Sequence, residues 1–517
     1  MTAGAIMVLG TASHVGKSLT TAALCRIFAR AGYSVAPFKA QNMSLNSAAT
    51  PDGFEIGRAQ ALQAEAAGIA PSVHMNPILI KPSGDCCSQI VVRGKVWGNV
   101  DARDYHERRV RTLLPVVEES YRELASAHDV VVLEGAGSPA EINLKDNDIA
   151  NMRMARLADA QCLLVGDIDR GGVFASLLGT CELLDEDERE RIRGFVINKF
   201  RGDRTLLEPG VRMMEARLGK PCLGVVAHLK DLMLDEEDSV GFGQRDRPMW
   251  LEPHVASRRL QIGVIAFPSI SNFTDFDALD AEPSVALKYF HEPEGMALAD
   301  IIILPGSKQT MDDLRWIRER GFDRALLGHA QRGGVIAGIC GGFQMLGREI
   351  CDPHGMERAG MQPALGLLPV RTVMAQDKVT VSARGVIAGG GLFGQRSDSS
   401  EVRGYEIHLG TTEYLDDAAP FASIVRENDE ARTLWDGCVS KDQRVFGTYL
   451  HGIFDEDAFR HAFLRAARAA LRMPAPAELI ACSERRRRQL DLLADAFADA
   501  LDLGAIFGMV GLQRRSC

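Results

Sequence analysis

The stretch Gly334–Gly347, GVIAGICGGFQMLG, joins a short apolar run to a cysteine flanked by glycines. Residues 335–339 read VIAGI, and a run of this length with β-branched residues predicts a buried strand. From Phe343 onward apolar residues recur at helical spacing. A cysteine at such a strand-to-helix turn predicts a nucleophile elbow at Cys340, where the following amides face a developing oxyanion. The alternative is a small buried hydrophobic residue, as most free cysteines are.

The composition is typical of a soluble globular chain with more than one core. The 517 residues are 46% hydrophobic and 25% charged, and they predict two or three domains. A formal net charge of -10 disfavours nucleic acid and anionic membranes as partners, whereas acidic small molecules remain compatible with local Lys and Arg.

The sequence also predicts a cytoplasmic location without a membrane span. No apolar run reaches the ~18 residues that a transmembrane helix needs. The first residues, MTAGAIMVLG, lack a basic region and predict a first strand rather than a signal peptide. The eleven cysteines have irregular spacing, which indicates reduced thiols and no structural metal site.

A glycine-rich phosphate loop follows the first predicted strand. Residues 10–18 read GTASHVGKS, and a helix is predicted from about Leu19 to Ala31. Backbone amides and the helix N-terminus should cradle phosphates, the lysine should reach the terminal phosphates, and the serine should ligate Mg2+. Five residues separate the two glycines of this loop, where the common pattern has four. The predicted ATP-binding residues of the loop are Gly10, Thr11, Gly16, Lys17 and Ser18.

Three further predicted strands end in polar residues that would complete an ATP and magnesium site. Lys39 follows the strand 34–38, and Glu134 ends the strand 130–134, where a carboxylate could hold Mg2+ beside the loop serine. Asn198 follows another strand and is a candidate for reading an adenine edge. Strands that alternate with helices predict a parallel, doubly wound sheet with ligands at the carboxyl ends of the strands.

These stretches resemble known families. GTASHVGKS, the strand-end lysine and VVLEGAGS are similar to the dethiobiotin synthetase type of P-loop domain, in which ATP phosphorylates a carboxylate. A longer series, in the same order along the chain, resembles the cobyric acid synthase family, whose members amidate a corrin ring. Its segments are APFKAQNMSLNSA, EIGRAQALQAEAAG, VHMNPILIKP, GNVDARDYH, EGAGSPAEINL, DIANM, DIDRGGVFA and GFVINKFRGD.

The second half of the chain starts a new sheet at about Gln261. Residues 299–304 predict a strand that ends in a glycine turn, where an amide near Gly306 could be a second oxyanion donor. A last predicted strand, 445–449, is followed by His451. A histidine at a strand end is what a Cys–His pair with Cys340 requires, because the imidazole accepts the thiol proton and later protonates the leaving ammonia.

LPGSKQT, GICGGFQMLG and GTYLHGIFD together resemble the class I glutamine amidotransferase domain of the cobyric acid type. The resemblance implies the following roles: Cys340 as nucleophile, His451 as base, Gly306 and Gly341 in the oxyanion hole, and Gln344 near the glutamine pocket. One position departs from the wider class, in which a glutamate stands two residues after the histidine. That position is Ile453 here, and Asp455 is the candidate for orienting the histidine.

The predicted fold class is α/β with two doubly wound domains. A P-loop NTPase-like, dethiobiotin-synthetase-like domain spans 1–232, a linker 233–259, and a flavodoxin-like class I glutamine amidotransferase domain 260–470. A helical segment and tail, 471–517, complete the chain. A stripe of apolar residues in this segment predicts core packing rather than a partner-binding face, and its members are Leu490, Leu493, Phe497 and Leu501.

Two chemistries on one chain predict an ATP-consuming amide ligase that obtains ammonia from glutamine. The resemblance implies a corrinoid polycarboxylate as the other substrate: adenosylcobyrinic acid a,c-diamide, amidated at its b, d, e and g carboxylates to adenosylcobyric acid. One alternative is the related cobyrinic acid a,c-diamide synthase. Another is a ParA-like or MinD-like ATPase switch, which would explain the loop but not Cys340 and His451. The oligomeric state is not legible in the sequence.

Overall fold

The computed structural model describes residues 3–82, 87–101, 104–105, 110–229, 232, 234, 259–396, 401–427 and 429–513. The chain forms two compact units. The first unit comprises Met1–Ser44, Ile56–Glu237 and Arg486–Cys517, and the second comprises Leu45–Glu55 and Asp238–Arg485. The predicted linker, 233–259, lies outside the described residues except for its positions 234 and 259.

A six-stranded parallel sheet forms the centre of the first unit. From edge to edge its strands are Cys222–Ala227, Ile192–Phe200, Gln161–Asp167, Gly4–Gly10, Val130–Glu134 and Val35–Phe38. The first strand in sequence lies inside the sheet, between Val130–Glu134 on one side and the strand that follows that one in sequence, Gln161–Asp167, on the other. The carboxyl end of Gly4–Gly10 is therefore the topological switch point, where ligands bind in such sheets.

Helices link the parallel strands of the first unit, and a smaller sheet accompanies them. The helices are Lys17–Arg30, Arg58–Ala67, Val110–Ala127, Met152–Leu157, Val173–Glu182, Glu186–Arg191 and Arg204–Leu218, with 3-10 turns at Val73–Met75 and Ile142–Asn147. The smaller sheet has the strand order Gln41–Met43, Ile78–Pro82, Cys87–Val92 and Lys95–Asp101. Ser47–Ala49 and Glu55–Gly57 form a separate strand pair.

From Arg486 onward the carboxyl-terminal segment belongs to the first unit, whereas the part of it before Arg486 belongs to the second. The segment contains the helices Cys482–Ala500 and Leu503–Met509. The predicted apolar stripe lies in the core of the first unit, beside helix Lys17–Arg30, and its members are 7% exposed or less. The Phe507 ring contacts Phe28 edge-on at 4.8 Å between centroids. The predicted core packing of the stripe is confirmed.

The second unit also has a central sheet of six strands. In order they are Val285–Phe290, Leu260–Ile265, Ile301–Leu304, Val335–Ile339, Val445–Thr448 and Cys438–Val439, and the first five are parallel. This is a flavodoxin-like order. The helices of the unit are Asp277–Asp280, Thr310–Glu319, Phe322–Gln331, Gly341–Leu346 and Asp457–Ala470, with 3-10 turns at Phe273–Phe276, Met296–Leu298 and Ala388–Gly390.

A second, mixed sheet in this unit was not expected from the sequence. Between the cysteine elbow and the last parallel strand the sequence has only short apolar runs, separated by polar and charged residues. In the structure this stretch forms the long antiparallel strands Val370–Ile387 and Glu401–Tyr414. The remaining strands of this sheet are Glu349–Asp352, Gly360–Pro363, Ala422–Arg426, Asp429–Asp436 and Leu450–His451.

Short strand pairs complete the second unit: Ile270–Ser271 pairs with Gly306–Ser307, and Gly391–Leu392 pairs with Gln395–Arg396. Within the described ranges of both units, helices with the length and apolar character of a membrane span are absent. The α/β fold with two parallel-sheet domains is thus as predicted, whereas the eleven residues Leu45–Glu55 belong to the second unit and not to the first.

Candidate active sites

Cys340 lies on a sharp turn between a central strand and a helix of the second unit. The strand Val335–Ile339 ends directly before it, and the helix Gly341–Leu346 begins directly after it. Its backbone has φ 52° and ψ -109°, a region that residues with a Cβ rarely adopt. A side chain at Gly342 would put its Cβ 2.0 Å from the carbonyl oxygen of Leu304, so only glycine lets the helix start this close to the neighbouring strand.

His451 lies three residues beyond the end of the adjacent parallel strand, in the short strand Leu450–His451. Val445–Thr448 pairs with Val335–Ile339, and the amide of Cys340 donates to the carbonyl of Thr448 at 2.8 Å. The Cys340 side chain lies close enough to the His451 imidazole to raise its pKa, and its Sγ donates to the carbonyl of Ile407 at 3.5 Å. Neighbouring strand ends therefore bring together the nucleophile and base predicted from the sequence, and both side chains are buried.

The second nitrogen of the imidazole is held by Asp275. Its Oδ2 lies 2.6 Å from His451 Nδ1, and its Oδ1 accepts the backbone N–H of Gly452 at 3.0 Å. Gly452 has φ 66°, which favours glycine at this position. The orienting carboxylate thus comes from Asp275, and not from Asp455 as expected. The position that is glutamate in the wider class, Ile453, is buried among apolar residues.

The charges around His451 favour the protonated ring. Burial alone would lower the pKa of the imidazole, but the carboxylate of Asp275 and then the thiol of Cys340 raise the pKa of His451 to about 10. At neutral pH the ring is therefore an imidazolium held between a carboxylate and a thiol. A protonated ring in this position can supply a proton to a leaving amine.

The predicted oxyanion residues, Gly306 and Gly341, belong to two segments that approach each other closely. Gly306 belongs to a two-residue strand, and a Cβ there would lie 3.0 Å from His451 Cε1. A Cβ on Gly341 would lie 2.9 Å from the backbone nitrogen of Ser307. The structure thus brings the Gly306–Ser307 turn against the start of the helix after Cys340, as a pair of oxyanion donors requires.

Gln344 lies one helical turn beyond the nucleophile and is buried. Its Nε2 donates to the carbonyl of Leu409 at 2.8 Å, and its Oε1 accepts the hydroxyl of Thr310 at 3.3 Å. The Thr310 hydroxyl also lies close enough to the carboxyl of Glu357 to lower its pKa. This chain of contacts links the oxyanion turn to a carboxylate that the sequence did not reveal.

The carboxylate of Glu357 is held in place by its own loop. Buried Asp352 accepts the backbone N–H groups of Met356, Glu357 and Arg358 at 2.8 to 2.9 Å, which fixes the turn. Glu357 Oε2 accepts the amide of Met311 at 3.0 Å. Burial raises the pKa of Glu357 to about 7, although that hydrogen bond and the charge of Lys308 oppose the shift.

In the first unit the phosphate loop lies at the switch point of the sheet. Gly10 ends the strand, Thr11 donates its N–H to the carbonyl of Val165 at 3.0 Å, and Gly16 precedes the helix with φ 103°. The Nζ atom of Lys17 donates to the carbonyls of Ala12 at 2.9 Å and Gly137 at 2.8 Å. The lysine therefore folds over the loop, where a phosphate would be bound.

Glu134 is the centre of a buried polar cluster beside this loop. Its Oε1 accepts Ser18 Oγ at 2.8 Å and Lys39 Nζ at 2.9 Å, and its Oε2 accepts Gln63 Nε2 at 2.6 Å. The lysine and the glutamate form an ion pair with side chains 6% and 1% exposed. Ser18, Lys39 and Glu134 were predicted, whereas Gln63 was not.

The oxygen set of this cluster fits a magnesium ion. A serine hydroxyl and a carboxylate are ligands that Mg2+ prefers. Gln63 Oε1 is buried and has no hydrogen-bond partner in the described part of the chain, so the cluster holds a further oxygen for a cation or its water. Ser18 and Glu134 would hold the ion, and it would neutralise phosphate charge when bound.

Asn198 contacts the phosphate loop from the neighbouring strand. Its Nδ2 donates to the carbonyl of Val15 at 2.8 Å, and a Cβ on Gly16 would lie 2.1 Å from that nitrogen. The side chain therefore supports the loop directly. Recognition of adenine by Asn198 stays a prediction.

Comparison with known proteins accounts for both sites. A family model described as the CobQ/CobB/MinD/ParA nucleotide binding domain matches residues 6–240, and one described as the CobB/CobQ-like glutamine amidotransferase domain matches residues 261–459. The cobyric acid synthase of Desulforudis audaxviator is 50% identical over 515 residues, which cover 99% of this chain and 100% of that protein. The chain belongs to the cobyric acid synthase family.

Two further members of the cobyric acid synthase family agree over the whole chain. The protein of Sorangium cellulosum is 49% identical over 528 residues and covers 100% of both chains. That of Moorella thermoacetica is 48% identical over 514 residues, 99% of this chain and 98% of that protein. The predicted family and enzyme class are confirmed: the chain is a glutamine-dependent ligase of cobalamin biosynthesis. A ParA-like or MinD-like switch leaves the amidotransferase domain unexplained.

We expect the asparagine variant Asp275→Asn to change the pH profile of glutamine hydrolysis. The rate in the unchanged enzyme should fall as the pH rises through about 10, because the His451 imidazolium then loses its proton. Without the carboxylate, burial dominates and lowers the pKa of the ring, so the descending limb should move to lower pH. An unshifted limb measured from glutamate release at saturating glutamine would contradict the assignment of Asp275. Asp455→Asn is the matched control.

Proposed function

We propose that this chain uses ATP and glutamine to convert the b, d, e and g carboxylates of adenosylcobyrinic acid a,c-diamide into amides, giving adenosylcobyric acid. The observation that carries the proposal is the Cys340–His451–Asp275 arrangement on a chain that also has a phosphate loop beside Glu134. A source of ammonia and an ATP site for activating carboxylates together make an amide ligase. The full-length similarity to cobyric acid synthases supports the corrinoid substrate.

Ammonia is released at Cys340. The thiolate attacks the side-chain carbonyl carbon of glutamine, and the amides near Gly306 and Gly341 stabilise the oxyanion that forms. The imidazolium of His451 protonates the amine, the C–N bond breaks and ammonia leaves a glutamyl thioester. Water, deprotonated by the now neutral imidazole, hydrolyses the thioester, releases glutamate and restores the thiolate pair.

Glu357 recognises the α-ammonium group of glutamine. The side chain of Thr310 lies between this carboxylate and the residues Gly341 and Gln344. A buried carboxylate with a raised pKa gains most from a cation, because the ligand's charge replaces the solvation lost on burial. The amide group of glutamine then points towards the thiol, and a substrate that lacks the ammonium group binds weakly.

The first unit activates the acceptor. Gly10, Thr11, Gly16 and Lys17 bind the phosphates of ATP, and Lys17 and Lys39 stabilise the charge on the γ-phosphoryl group as it passes to a corrinoid carboxylate. ADP leaves and an acyl phosphate forms. Ammonia then attacks the acyl carbon, the amide forms and inorganic phosphate leaves. The requirement for ATP follows from this step.

Replacement of the nucleophile should separate the two activities. We expect Cys340→Ser to lose glutamine-dependent amidation by at least about 10³-fold, since the nucleophile is gone, while amidation with ammonium chloride continues at the unchanged rate. The measurement is corrinoid product by mass spectrometry with either nitrogen source. Loss of the ammonia-dependent reaction in a folded variant would contradict the separation of the sites. Cys438→Ser changes another buried cysteine of the same sheet and is the control.

Replacement of Glu357 should weaken glutamine binding without changing the chemistry. We expect Glu357→Gln to raise KM for glutamine about tenfold or more, because the α-ammonium group loses a charged partner. In the unchanged enzyme KM should fall as the pH rises through about 7, where the carboxyl ionises, and the variant should lose this dependence. An unchanged KM in the variant would contradict the assignment. Asp312→Asn alters an exposed carboxylate nearby and is the control.

A further inference from the structure

The residues Leu45–Glu55, here called the strap, belong to the second unit although the chain on both sides belongs to the first. The strap contains the short strand Ser47–Ala49 and ends at Glu55. Ser47, Ala48 and Glu55 are 6% exposed or less. The proposed mechanism gives the strap no task, yet residues near both of its ends are buried and it belongs to the second unit.

Asn272 binds the backbone of the strap. Its side-chain Oδ1 accepts the N–H of Ser47 at 3.3 Å, and its Nδ2 donates to the carbonyl of the same residue at 3.2 Å. The side-chain amide therefore pairs with one strap residue as a neighbouring strand would. Because both bonds involve the backbone of Ser47, they depend on the course of the strap and not on the identity of that side chain.

Tyr405 closes a ring of hydrogen bonds with the same two residues. Its hydroxyl donates to the carbonyl of Ser47 at 3.1 Å and accepts Nδ2 of Asn272 at 3.1 Å. All three residues are buried. Buried hydrogen bonds of this kind fix the positions of their members, since a broken bond leaves a polar group without solvent.

Tyr405 contacts the catalytic histidine itself, and Asn272 begins the turn that carries its carboxylate partner. The Tyr405 ring stacks on the His451 ring, with centroids 5.5 Å apart and planes inclined by 22°, and the two residues are paired across neighbouring strands. Asn272 begins the 3-10 turn Phe273–Phe276, and its carbonyl accepts the N–H of Asp275 at 3.0 Å. The strap therefore contacts Tyr405, which packs on the imidazole of His451. It also contacts Asn272, which begins the turn that carries Asp275.

A buried ion pair holds the far end of the strap. Lys378 Nζ lies 2.6 Å from Glu55 Oε2, and the side chains are 11% and 1% exposed. Lys378 belongs to the long strand that pairs with the strand of Tyr405. The strap is thus fixed at Ser47 and at Glu55 to the same antiparallel strand pair.

We infer that the strap is a positioning element of the glutaminase site, and that Asn272 and Tyr405 transmit its position to His451 and Asp275. Neither residue touches the reacting atoms. Their task is to hold the imidazolium in line with the thiol of Cys340, where a displacement of about 1 Å costs orders of magnitude in rate. The inference rests on the proposed release of ammonia at Cys340.

Removal of one hydroxyl group tests the inference with the least disturbance. Tyr405→Phe keeps the aromatic side chain that stacks on His451. It loses the hydroxyl and with it the hydrogen bonds to Ser47 and Asn272. We expect kcat for glutamine hydrolysis to fall about tenfold while KM stays within about twofold, because the histidine and not the glutamine pocket is displaced. The rate at which iodoacetamide alkylates Cys340, followed on its peptide by mass spectrometry, should fall with kcat.

A second variant and a matched control separate positioning from general stability. Asn272→Gly removes the side-chain amide and suits the left-handed backbone of that residue, φ 51°, and we expect the same loss of kcat. Tyr414→Phe removes a hydroxyl on the same strand that donates to the carbonyl of Gly437 at 2.8 Å, away from the strap, and should leave kcat unchanged.

The outcomes distinguish this inference from the proposed function. If the unchanged enzyme hydrolyses glutamine and Tyr405→Phe and Asn272→Gly do so at the same kcat, the positioning role is wrong and the glutaminase stands. If both variants lower kcat only as much as Tyr414→Phe, the role is also wrong. If the unchanged enzyme does not hydrolyse glutamine, the proposed function itself fails.

Discussion

The hydrogen bond between Asp275 and His451 is the contact on which the chemistry of the second unit depends. It places a buried negative charge 2.6 Å from the imidazole and so keeps the ring protonated beside the thiol. The same carboxylate accepts the N–H of Gly452, which fixes the backbone that carries the histidine. One residue therefore sets both the charge and the direction of the imidazole.

The two units use the same property of parallel sheets for different reactions. Adjacent strands end at the same edge, so residues far apart in sequence meet there. In the second unit this brings Cys340 to His451, and in the first it brings the phosphate loop to Glu134. The backbone conformation of Cys340 is unfavourable, and the glycine-dependent contact of its helix with the neighbouring strand holds it in place.

Motifs that are continuous in sequence could be predicted, and contacts across the fold could not. The cysteine elbow, the phosphate loop and the strand-end residues Lys39 and Glu134 each carry a local pattern of glycines and strand residues. Asp275 lies 176 residues from its partner, in a 3-10 turn without a catalytic motif. The position of Glu357 depends on a loop whose backbone is held by the buried carboxylate of Asp352. The assignment of the strap to the second unit also depends on tertiary contacts. Its sequence is flanked on both sides by residues of the first unit and carries no signal of a domain boundary.

The most direct test of a single amidating enzyme uses glutamine labelled with 15N in its side-chain amide. The complete chain is incubated with this glutamine, ATP, Mg2+ and adenosylcobyrinic acid a,c-diamide in buffer free of ammonia, and the corrinoid is analysed by mass spectrometry. We predict 15N in every newly formed amide, at the b, d, e and g positions, and no product without ATP. Amidation without the label, or in the absence of ATP, would contradict the account.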